Sequence, residues 1–548
     1  MEMKRLRKSR FTRIVAVLVI SILVIAIDSI AGDITRVTFS SIDLKQRKAP
    51  LFIGRENVRI LQFNLKSKNQ KSQLQSLEII YSDDSHLEFL DSVKIFVVNN
   101  NDAESKRELF AYSTSGHREF TSSLKMKNGT QNYQYQFDFV VKQDARLEQS
   151  FCINSVLLTF SNNKTIELKP EDSFRYRPAQ VLRAIGQDGC QAYRIPGIVT
   201  TSRGTLIAVY DNRYNNSKDL QEDIDIGMSR STDNGQSWEP MQVIMDMGEY
   251  GGLPQRLNGI GDPGILFDPF TNTLWAAAVW MSGSSHEKAL WWESQPGMLP
   301  NETGQFILVK STDDGLSWSD PINITEQIKD PKWQLLLAGP GCGITLDDGT
   351  LVFPAQYKAD IGKQAIDGGK YTPFSTIIYS KDQGKTWTIG EGARSNTTEA
   401  QVVQLENGSL MLNMRDDRNR ADKSESNGRA VSVTNDLGKT WYKHPSSNSA
   451  LPEPNCMASL IYYKPDSGKG SRLLFSNPAN KENRTHMAIK VSYDEGLTWP
   501  EKLHILLNED YGFGYSCLTV TKDKCIGILY EGNSELFFQK IPLSETEL

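Results

Sequence analysis

The sequence has few cysteines and none of the short cysteine or histidine motifs that hold metal ions. Its six cysteines are too few for a disulfide scaffold in a chain of 548 residues, and no CxxC or HExxH spacing occurs. Cys517 and Cys525 flank a predicted turn and could pair across a hairpin, but we favour free buried thiols. The sequence therefore predicts neither a structural nor a catalytic metal.

A basic stripe and an excess of positive charge are also absent. The formal net charge is −5, which argues against nucleic acid as a partner. Hydrophobic residues make up 39% of the chain and charged residues 23%, an ordinary globular composition that does not predict disorder. The length indicates two or three domains.

One long apolar run occurs, over residues 14–27, and six lysines and arginines precede it. The run is short for a membrane span and typical of a secretory signal peptide, and Ser29 and Ala31 are the small residues that a signal peptidase reads. We therefore predict a signal peptide over residues 1–31 and an exported protein that is periplasmic, at the cell surface or secreted. A retained membrane anchor is the alternative, which Asp28 directly after the run disfavours.

Residues 32–178 read as short strands and polar turns. Tyr133, Tyr135, Phe137 and Phe139 alternate with polar residues, and no long stretch shows helical periodicity. This pattern predicts an antiparallel β-sandwich. Its functional interpretation is a carbohydrate-binding module, and the alternative is a spacer packed on a catalytic domain.

Five similar octapeptides recur in the rest of the chain. They are STDNGQSW (231–238), STDDGLSW (311–318), SKDQGKTW (380–387), TNDLGKTW (434–441) and SYDEGLTW (492–499). Their tryptophans lie 80, 69, 54 and 58 residues apart, a spacing typical of a repeat architecture. About six four-stranded units fit into residues 179–548, so we predict an all-β chain with a six-bladed β-propeller after the sandwich. One blade would have lost its octapeptide.

Each octapeptide has the chemistry of a turn that folds by itself. Its Asp accepts hydrogen bonds from backbone N–H groups of the turn, its Gly permits a positive φ, and its Trp is an apolar anchor. These octapeptides resemble Asp boxes, which occur in sialidases and in other propellers, so they indicate a fold and not an activity. A carboxylate repeated in every blade cannot converge on one site, so we exclude the box aspartates from catalysis.

A second set of residues resembles one family more closely. Arg194 lies in YRIPGIV, and Arg213 and Asp219 follow it by 19 and 25 residues. This arrangement of Arg-Ile-Pro, Arg and Asp resembles the exo-α-sialidase family. The other residues that match the family are Asp262, Glu399, Arg415, Arg484, Tyr515 and Glu531.

The resemblance implies that Arg194, Arg415 and Arg484 bind the carboxylate of sialic acid, and that Glu531 holds Arg194. Planar guanidinium groups suit a carboxylate. These arginines are up to 290 residues apart, so they can meet only if the propeller closes.

The resemblance also implies a catalytic trio of Tyr515, Glu399 and Asp219. The carboxylate of the substrate would repel a carboxylate nucleophile but not the neutral phenol of Tyr515. A phenol is slow unless a base, here Glu399, takes its proton. Asp219 would protonate the leaving oxygen and later deprotonate water.

Four further residues are expected to contact the sugar. The resemblance implies that Arg213 and Asp262 contact the ring hydroxyls. Gln356 and Tyr357, in FPAQYK, are candidates for the glycerol side chain. Trp or Tyr side chains would line the N-acetyl pocket.

We therefore predict an exo-α-sialidase that releases terminal sialic acid from glycoconjugates with retention, without a cofactor or a metal. A trans-sialidase, or an enzyme that releases an anhydro sugar, would use the same core residues and differ only in product. A non-catalytic sialoglycan-binding propeller would be expected to lack Asp219, Glu399 and Tyr515, which this chain has.

Overall fold

The computed structural model describes residues 42–547 apart from residues 57, 68–72, 102–105, 115–117, 122–130, 221, 289, 466 and 469. The predicted signal peptide lies outside the described residues. Regular structure is almost entirely β-strand, which confirms the all-β prediction. The described helices are α1 (Leu290–Glu293), α2 (Thr325–Ile328) and the 3₁₀ turns Gln187–Gly189, Gln255–Leu257, Asp417–Arg420, Glu501–Leu503 and Leu543–Thr546. None of the helices in this part of the chain is long and apolar enough to cross a membrane.

The N-terminal strands form two antiparallel sheets. The strands are β1 (Leu44–Gln46), β2 (Leu51–Phe52), β3 (Val58–Ser67), β4 (Leu74–Tyr81), β5 (Leu90–Asn99), β6 (Glu108–Thr114), β7 (Glu119–Thr121), β8 (Gln131–Val141), β9 (Phe151–Phe160), β10 (Thr165–Leu168) and β11 (Arg175–Tyr176). One sheet has the order β1-β3-β8-β5-β6 and the other β10-β9-β4-β7, with β11 beside β9. Two sheets around one core agree with the predicted sandwich.

Apolar and polar residues alternate along β8, and this alternation explains why one face of its sheet is buried. Tyr135, Phe137 and Phe139 are buried in the core shared by both sheets, and Tyr135 stacks on Phe63 of β3 with centroids 4.8 Å apart. Successive side chains of a strand point to opposite faces, so the intervening Gln136 lies on the outer face of this sheet.

The remaining strands form six further sheets. The strands are β12 (Pro178–Arg183), β13 (Ala192–Thr200), β14 (Leu206–Arg213), β15 (Ile224–Ser231), β16 (Gln242–Met245), β17 (Asn258–Asp268), β18 (Thr273–Ser282), β19 (Gln305–Ser311), β20 (Ile322–Asn323), β21 (Leu335–Ala338), β22 (Gly341–Cys342), β23 (Ile344–Thr345), β24 (Leu351–Ala359), β25 (Thr372–Ser380), β26 (Thr388–Ile389), β27 (Arg394–Ser395), β28 (Thr397–Gln404), β29 (Leu410–Asp416), β30 (Ala430–Thr434), β31 (Tyr442–Lys443), β32 (Ser459–Tyr463), β33 (Arg472–Pro478), β34 (Met487–Ser492), β35 (Ile505–Asn508), β36 (Ser516–Val520), β37 (Cys525–Glu531) and β38 (Leu536–Pro542).

The six sheets follow one another around a ring. The first five are β13–β16, β17–β20 with β22, β21 with β23–β27, β28–β31 and β32–β35, and the sixth has the order β2-β12-β38-β37-β36. Each sheet contacts the next one, and β36 of the sixth sheet contacts β13 of the first. This order and closure are consistent with the predicted six-bladed propeller, and the sheets are called blades 1 to 6 below.

Blade 6 explains why the chain has five octapeptides. In the other blades the octapeptide joins the third strand to the fourth. In blade 6 the third strand is β38, near the C-terminus, whereas the fourth strand is β12, more than 350 residues earlier. No hairpin joins these two strands, so the blade has no place for an octapeptide. We expected that one blade had lost its octapeptide. Instead, blade 6 has no turn between its third and fourth strands in which an octapeptide could lie.

The octapeptides form the turns that their sequences predict. In the third one, the Asp382 carboxylate accepts hydrogen bonds from the backbone N–H of Thr386 (2.9 Å) and from the hydroxyls of Ser380 and Thr386. Gly384 has a φ of +79° and Trp387 is buried. The turns lie on the face of the ring opposite to the loops between second and third strands.

All six cysteines are free and buried, as favoured from the sequence. Cys517 of β36 pairs in register with Leu529, and Cys525 of β37 pairs with Pro542 of β38. The two thiols are therefore not opposite each other, which excludes the alternative Cys517–Cys525 disulfide.

Candidate active site

Nine of the predicted site residues gather at one face of the ring. First strands begin and second strands end at this face, because the strands of each blade are antiparallel. Arg194, Asp262 and Glu399 lie near the starts of β13, β17 and β28, and Tyr515 directly precedes β36. Arg213, Arg415 and Glu531 lie at the ends of second strands, and Asp219 and Arg484 lie in the loops that follow such strands.

Glu531 of blade 6 forms hydrogen bonds to Arg194 and Ile195 of blade 1 and to Tyr515. One of its carboxylate oxygens accepts hydrogen bonds from Arg194 Nε (2.8 Å) and from the backbone N–H of Ile195 (2.9 Å). The other oxygen accepts from the backbone N–H of Tyr515 (2.9 Å). Ile195 has a φ of +58°, which is costly for a β-branched residue, so this bond helps to hold a strained backbone in place.

Arg415 and Arg484 complete a group of three arginines around Tyr515. Arg415 Nη1 donates to Glu399 Oε2 (2.6 Å) and to the Tyr515 hydroxyl (3.1 Å). Arg484 Nη1 donates to the Phe513 carbonyl (2.7 Å). The guanidinium carbons of Arg194 and Arg484 lie 5.4 and 5.7 Å from the centroid of the Tyr515 ring.

Tyr515 and Glu399 form a buried hydrogen-bonded pair. The phenol donates to Glu399 Oε1, and both residues are less than one-tenth exposed. Desolvation and the negative charge of Glu399 raise the pKa of Tyr515 well above its usual value, although Arg415 and Arg484 oppose this shift. The phenol is therefore protonated, and its proton is directed at a carboxylate.

Asp219 forms ion pairs with Arg213 and with Arg194, one of the three arginines around Tyr515. Its Oδ1 accepts from Arg194 Nη1 (2.9 Å) and Arg213 Nη1 (2.8 Å), and its side chain is 71% exposed. Desolvation acts to raise the pKa of Asp219, but the charges of Arg213 and Arg194 outweigh it and lower that pKa below its usual value. Asp219 is thus ionised, and it covers Arg194, one of the three arginines.

Asp211 is a site residue that the sequence analysis did not identify. It is fully buried, and its carboxylate accepts from Arg213 Nη2 (2.7 Å) and from the backbone N–H of Asp262 (3.0 Å). Asp262 has a φ of +56°, and desolvation together with the charges of Asp211 and Asp219 raises its pKa well above the usual value. Asp211 lies two residues before Arg213 on the same face of β14, a pattern that could have revealed it.

Asn455 is a second residue that was missed. Its side-chain oxygen accepts from Arg415 Nη2 (3.0 Å) and its backbone carbonyl accepts from Arg484 Nη2 (3.2 Å). Asn455 therefore links two arginines of different blades. It lies in a loop with a φ of +58°, and no sequence pattern marks it.

Gln356 and Tyr357 are not brought into this group. They are consecutive in β24, so their side chains point to opposite faces of the sheet. The Tyr357 ring stacks between Trp333 and Phe374 in the core of blade 3, with centroids 3.9 and 5.3 Å away. Gln356 is buried, and within the described part of the chain its Oε1 has no hydrogen-bond partner.

Asp223 and Asp225 lie outside the arginine group. Asp225 accepts a hydrogen bond from the Tyr214 hydroxyl (2.9 Å), and Asp223 accepts from Gln255 Nε2 (3.1 Å). For the residues that the structure describes, no cluster of three or more His, Cys, Asp or Glu side chains could hold a metal ion.

Known proteins resemble this chain in sequence and in structure. The family model described as BNR repeat-like domain matches residues 204–530. The sialidase of Bacteroides fragilis is 47% identical over 430 residues, which cover 78% of this chain and 73% of that protein. The sialidase of Clostridium perfringens is 31% identical over 400 residues, or 70% of this chain and 96% of that protein. The structure of the Hadza microbial sialidase Hz136 superimposes with a TM-score of 0.79 at 38% identity, and the match covers 92% of this chain and 99% of that one.

Proposed function

The chain belongs to the sialidase family, and from this premise we propose that it releases terminal α-linked sialic acid with retention, through a covalent intermediate on Tyr515. It is an exo-α-sialidase, a glycoside hydrolase, and its substrates are sialoglycoconjugates. The observation that carries the proposed mechanism is the buried Tyr515–Glu399 pair surrounded by three arginines.

The arginines suit the charge of the substrate. Arg194, Arg415 and Arg484 bind the carboxylate on the anomeric carbon and bring that carbon to the Tyr515 hydroxyl. Since this carboxylate would repel an anionic nucleophile, a phenol is the better nucleophile. Sialidases with a tyrosine nucleophile are a known exception to the rule of two catalytic carboxylates.

The first step forms the bond between the anomeric carbon and the Tyr515 oxygen and breaks the glycosidic bond. The phenolic proton passes to Glu399, and a proton from Asp219 passes to the leaving oxygen. In the second step water attacks the same carbon, Asp219 takes the proton of the water, and Glu399 returns its proton to Tyr515. Two inversions give net retention.

Asp219 must change partners before it can act as an acid. Its contacts with Arg194 and Arg213 lower its pKa and keep it ionised. A substrate carboxylate on Arg194 displaces Asp219 and adds a negative charge nearby, and both effects raise the pKa of Asp219. Binding of the substrate therefore favours the protonated form of Asp219, which is the form that can act as the acid.

Arg213 and Asp262 are proposed to contact the ring hydroxyls, because both converge on Asp211 beside Asp219. Gln356 remains the better of the two candidates for the glycerol side chain, since none of the described residues hydrogen-bonds to its Oε1. Tyr357 is the weaker candidate because its ring lies in the blade core.

A fluorinated sialyl fluoride tests the mechanism, because fluorine at C3 slows hydrolysis of the intermediate. We expect mass spectrometry to find the sugar on the peptide that contains Tyr515, and the Tyr515→Phe variant to remain unlabelled. Label on another residue would contradict the proposal. Product analysis with a fluorogenic sialoside separates hydrolysis, which gives free sialic acid, from transfer to a galactoside or release of an anhydro sugar.

We also propose that the sandwich binds glycans on the outer face of the sheet β1-β3-β8-β5-β6. Phe96 pairs there with Gln136, and the Arg107 guanidinium lies 4.1 Å from the Phe96 ring centroid and 2.6 Å from Asp138. Tyr112 of the edge strand β6 is 64% exposed. Aromatic rings beside polar side chains are suited to sugars.

The test compares Tyr112→Ala with the parent chain, both carrying Tyr515→Phe to prevent cleavage. We expect weaker retention on immobilised glycoprotein for the Tyr112→Ala chain. Equal retention of the two chains would favour the spacer interpretation.

Export is a further proposal, and it rests on the basic and apolar N-terminal segment. Fractionation of expressing cells, with sequencing of the mature N-terminus, tests it. A mature chain that begins at Gly32 supports the proposal, and a cytoplasmic chain that retains Met1 contradicts it.

A further inference from the structure

The residue that directly follows Asp219 is a leucine buried between blades. Leu220 lies in the loop that joins β14 to β15, and it is 3% exposed. The other buried residues of its apolar cluster are Val279 and Met281 of β18 and Leu335 and Leu337 of β21. Since β14 belongs to blade 1, and β18 and β21 belong to blades 2 and 3, the Leu220 side chain anchors a loop of blade 1 to the next two blades.

Two glycines of blade 2 make the space for this loop. Gly259 and Gly261 belong to β17. A Cβ on Gly261 would lie 2.5 Å from Leu220 Cδ2, and a Cβ on Gly259 would lie 2.6 Å from the carbonyl oxygen of Glu222. Both distances are much shorter than a van der Waals contact between heavy atoms. The loop therefore packs directly on the backbone of β17.

The backbone is strained at both of these contacts. Leu220 has a φ of +43° and Glu222 a φ of +67°, in the left-handed region that favours glycine. Such conformations persist where the surrounding structure holds them in place. Besides the burial of Leu220, a polar link does this, because the Glu222 carboxylate lies 3.2 Å from His286 Nδ1 and His286 Nε2 lies 3.3 Å from Arg256 Nη1.

Asp219 needs an anchor that does not depend on its own ion pairs. Its side chain is 71% exposed and is paired with Arg194 and Arg213. Under the proposed function, the carboxylate of the substrate replaces Asp219 on Arg194. Asp219 must then stay within hydrogen-bond distance of the leaving oxygen, and a small misplacement of a reacting group greatly reduces the rate. The apolar contacts of Leu220 carry no charge, so the arriving carboxylate leaves them in place.

We infer that Leu220 is a positioning residue for the general acid: its burial between blades 1, 2 and 3 holds Asp219 where it can protonate the leaving oxygen. This inference rests on the proposed function, which makes Asp219 the acid. Tyr515 and Glu399 lie in blades 6 and 4. Loss of the Leu220 anchor should therefore impair the acid and spare the nucleophile.

The test compares a substrate that needs the acid with one that does not. The leaving group of sialyl-lactose is an alkoxide, which needs a proton, whereas that of an aryl sialoside is a phenolate. We expect Leu220→Ala to lower kcat/KM for sialyl-lactose by about tenfold and to leave that for the aryl sialoside within about twofold. Leu220→Met, which refills the space with an apolar side chain, should retain most of the activity on sialyl-lactose. Equal losses on both substrates for Leu220→Ala, or no loss on either, would overturn the inference.

Leu405→Ala is the matched control. Leu405 is also buried, but it lies in the turn between β28 and β29, on the opposite face of the ring. This variant removes the same atoms from a core, so the ratio of the two kcat/KM values should not change.

A double variant shows whether Leu220 acts through Asp219. In the Asp219→Ala background, Leu220→Ala should leave the ratio of the two kcat/KM values unchanged, because no acid remains to be positioned. A further selective loss on sialyl-lactose in that background would assign Leu220 another role and overturn the inference.

Hydrogen exchange separates the anchor from the catalytic mechanism. In the full chain, Leu220→Ala should speed amide exchange in the peptide that spans residues 214–223, and Leu405→Ala should not. Unchanged exchange in this peptide for Leu220→Ala would overturn the anchor whatever the mechanism. If Asp219→Ala itself lost equal activity on both substrates, the proposed acid would be wrong, and the inference would be overturned with it.

Discussion

At the scale of the residue, the site separates two proton transfers by position. Glu399 contacts the Tyr515 phenol, whereas Asp219 lies on Arg194 and Arg213. Glu399 is buried and Asp219 is mostly exposed, so one serves the nucleophile inside the site and the other faces the leaving group and water. The two roles therefore predict different losses of activity when the leaving group of the substrate is changed.

The first prediction uses that dependence. Asp219→Ala should retain far more activity on an aryl sialoside than on sialyl-lactose, because a phenolate leaves with little help and an alkoxide needs an acid. Glu399→Gln should slow both substrates alike, since every substrate needs the nucleophile. General acid–base catalysis commonly increases a rate by about 10²–10⁴-fold. Single-turnover sialylation of the enzyme should therefore resolve the difference between the two substrates. Equal losses on both substrates for Asp219→Ala would contradict its role and direct attention to Asp223.

The second prediction concerns the proton that Asp219 acquires. Its pKa is lowered in the free enzyme by Arg213 and Arg194, and a ligand carboxylate on Arg194 removes part of that effect. When a 2,3-unsaturated sialic acid binds at about pH 5, the enzyme should therefore take up a fraction of a proton on Asp219. This pH is close to the upper end of the normal pKa range for a carboxyl group. Calorimetry in two buffers of different ionisation enthalpy measures this uptake. The Asp219→Asn variant should show none, and equal uptake by both proteins would assign the proton to another group.

Residues such as Arg194, Asp219 and Glu399 could be predicted because their spacing matches the sialidase family and their side chains act on the substrate or on the nucleophile. The missed residues, Asp211 and Asn455, act on other side chains. Asn455 links Arg415 and Arg484 only because two loops meet the end of β29 in space, which the linear sequence does not encode.

At the scale of the element, the octapeptide turns are stabilised by their own hydrogen bonds. The hydroxyl of Thr386, the backbone N–H of Thr386 and the hydroxyl of Ser380 lower the pKa of Asp382 to about 2. Asp313 and Asp436 have the same arrangement and pKa values of about 2. The turn was predictable from eight residues because its contacts are local.

The third prediction is Asp382→Ala, which should lower the free energy of unfolding by about 1–2 kcal/mol through the lost cap and leave kcat/KM unchanged. Because the pKa is lowered on folding, this contribution is present above about pH 4 and disappears as the pH falls towards 2. Denaturant unfolding of both proteins at pH 7 and pH 3 measures the difference, which should shrink at the lower pH. A variant that stays stable but loses activity would place the octapeptides in the site.

At the scale of the whole molecule, the ring is closed by β12, which precedes blade 1 but completes blade 6. Gln180 and Val181 pair in register with Phe538 and Phe537 of β38. Closure could be inferred from arginines up to 290 residues apart, but the strand that performs it carries no motif and could not be identified. The same closure brings Glu531 and Tyr515 of blade 6 to Arg194 of blade 1.

The last prediction tests that closure with two truncations. Arg183, at the end of β12, is buried and donates to the Tyr210 hydroxyl (2.7 Å) and to Ser229 Oγ (2.8 Å) in blade 1. A chain without residues 1–177 keeps β12, so it should retain kcat/KM on a methyl α-sialoside. A chain without residues 1–184 loses the outer strand of blade 6 and leaves the buried Tyr210 and Ser229 without Arg183. Its Tm should be lower, by on the order of 10 °C, than the Tm of the chain that lacks only residues 1–177, and the loosened blade 6 should misplace Tyr515 and reduce activity. Equal Tm and equal activity of the two truncations would show that the ring holds together without β12.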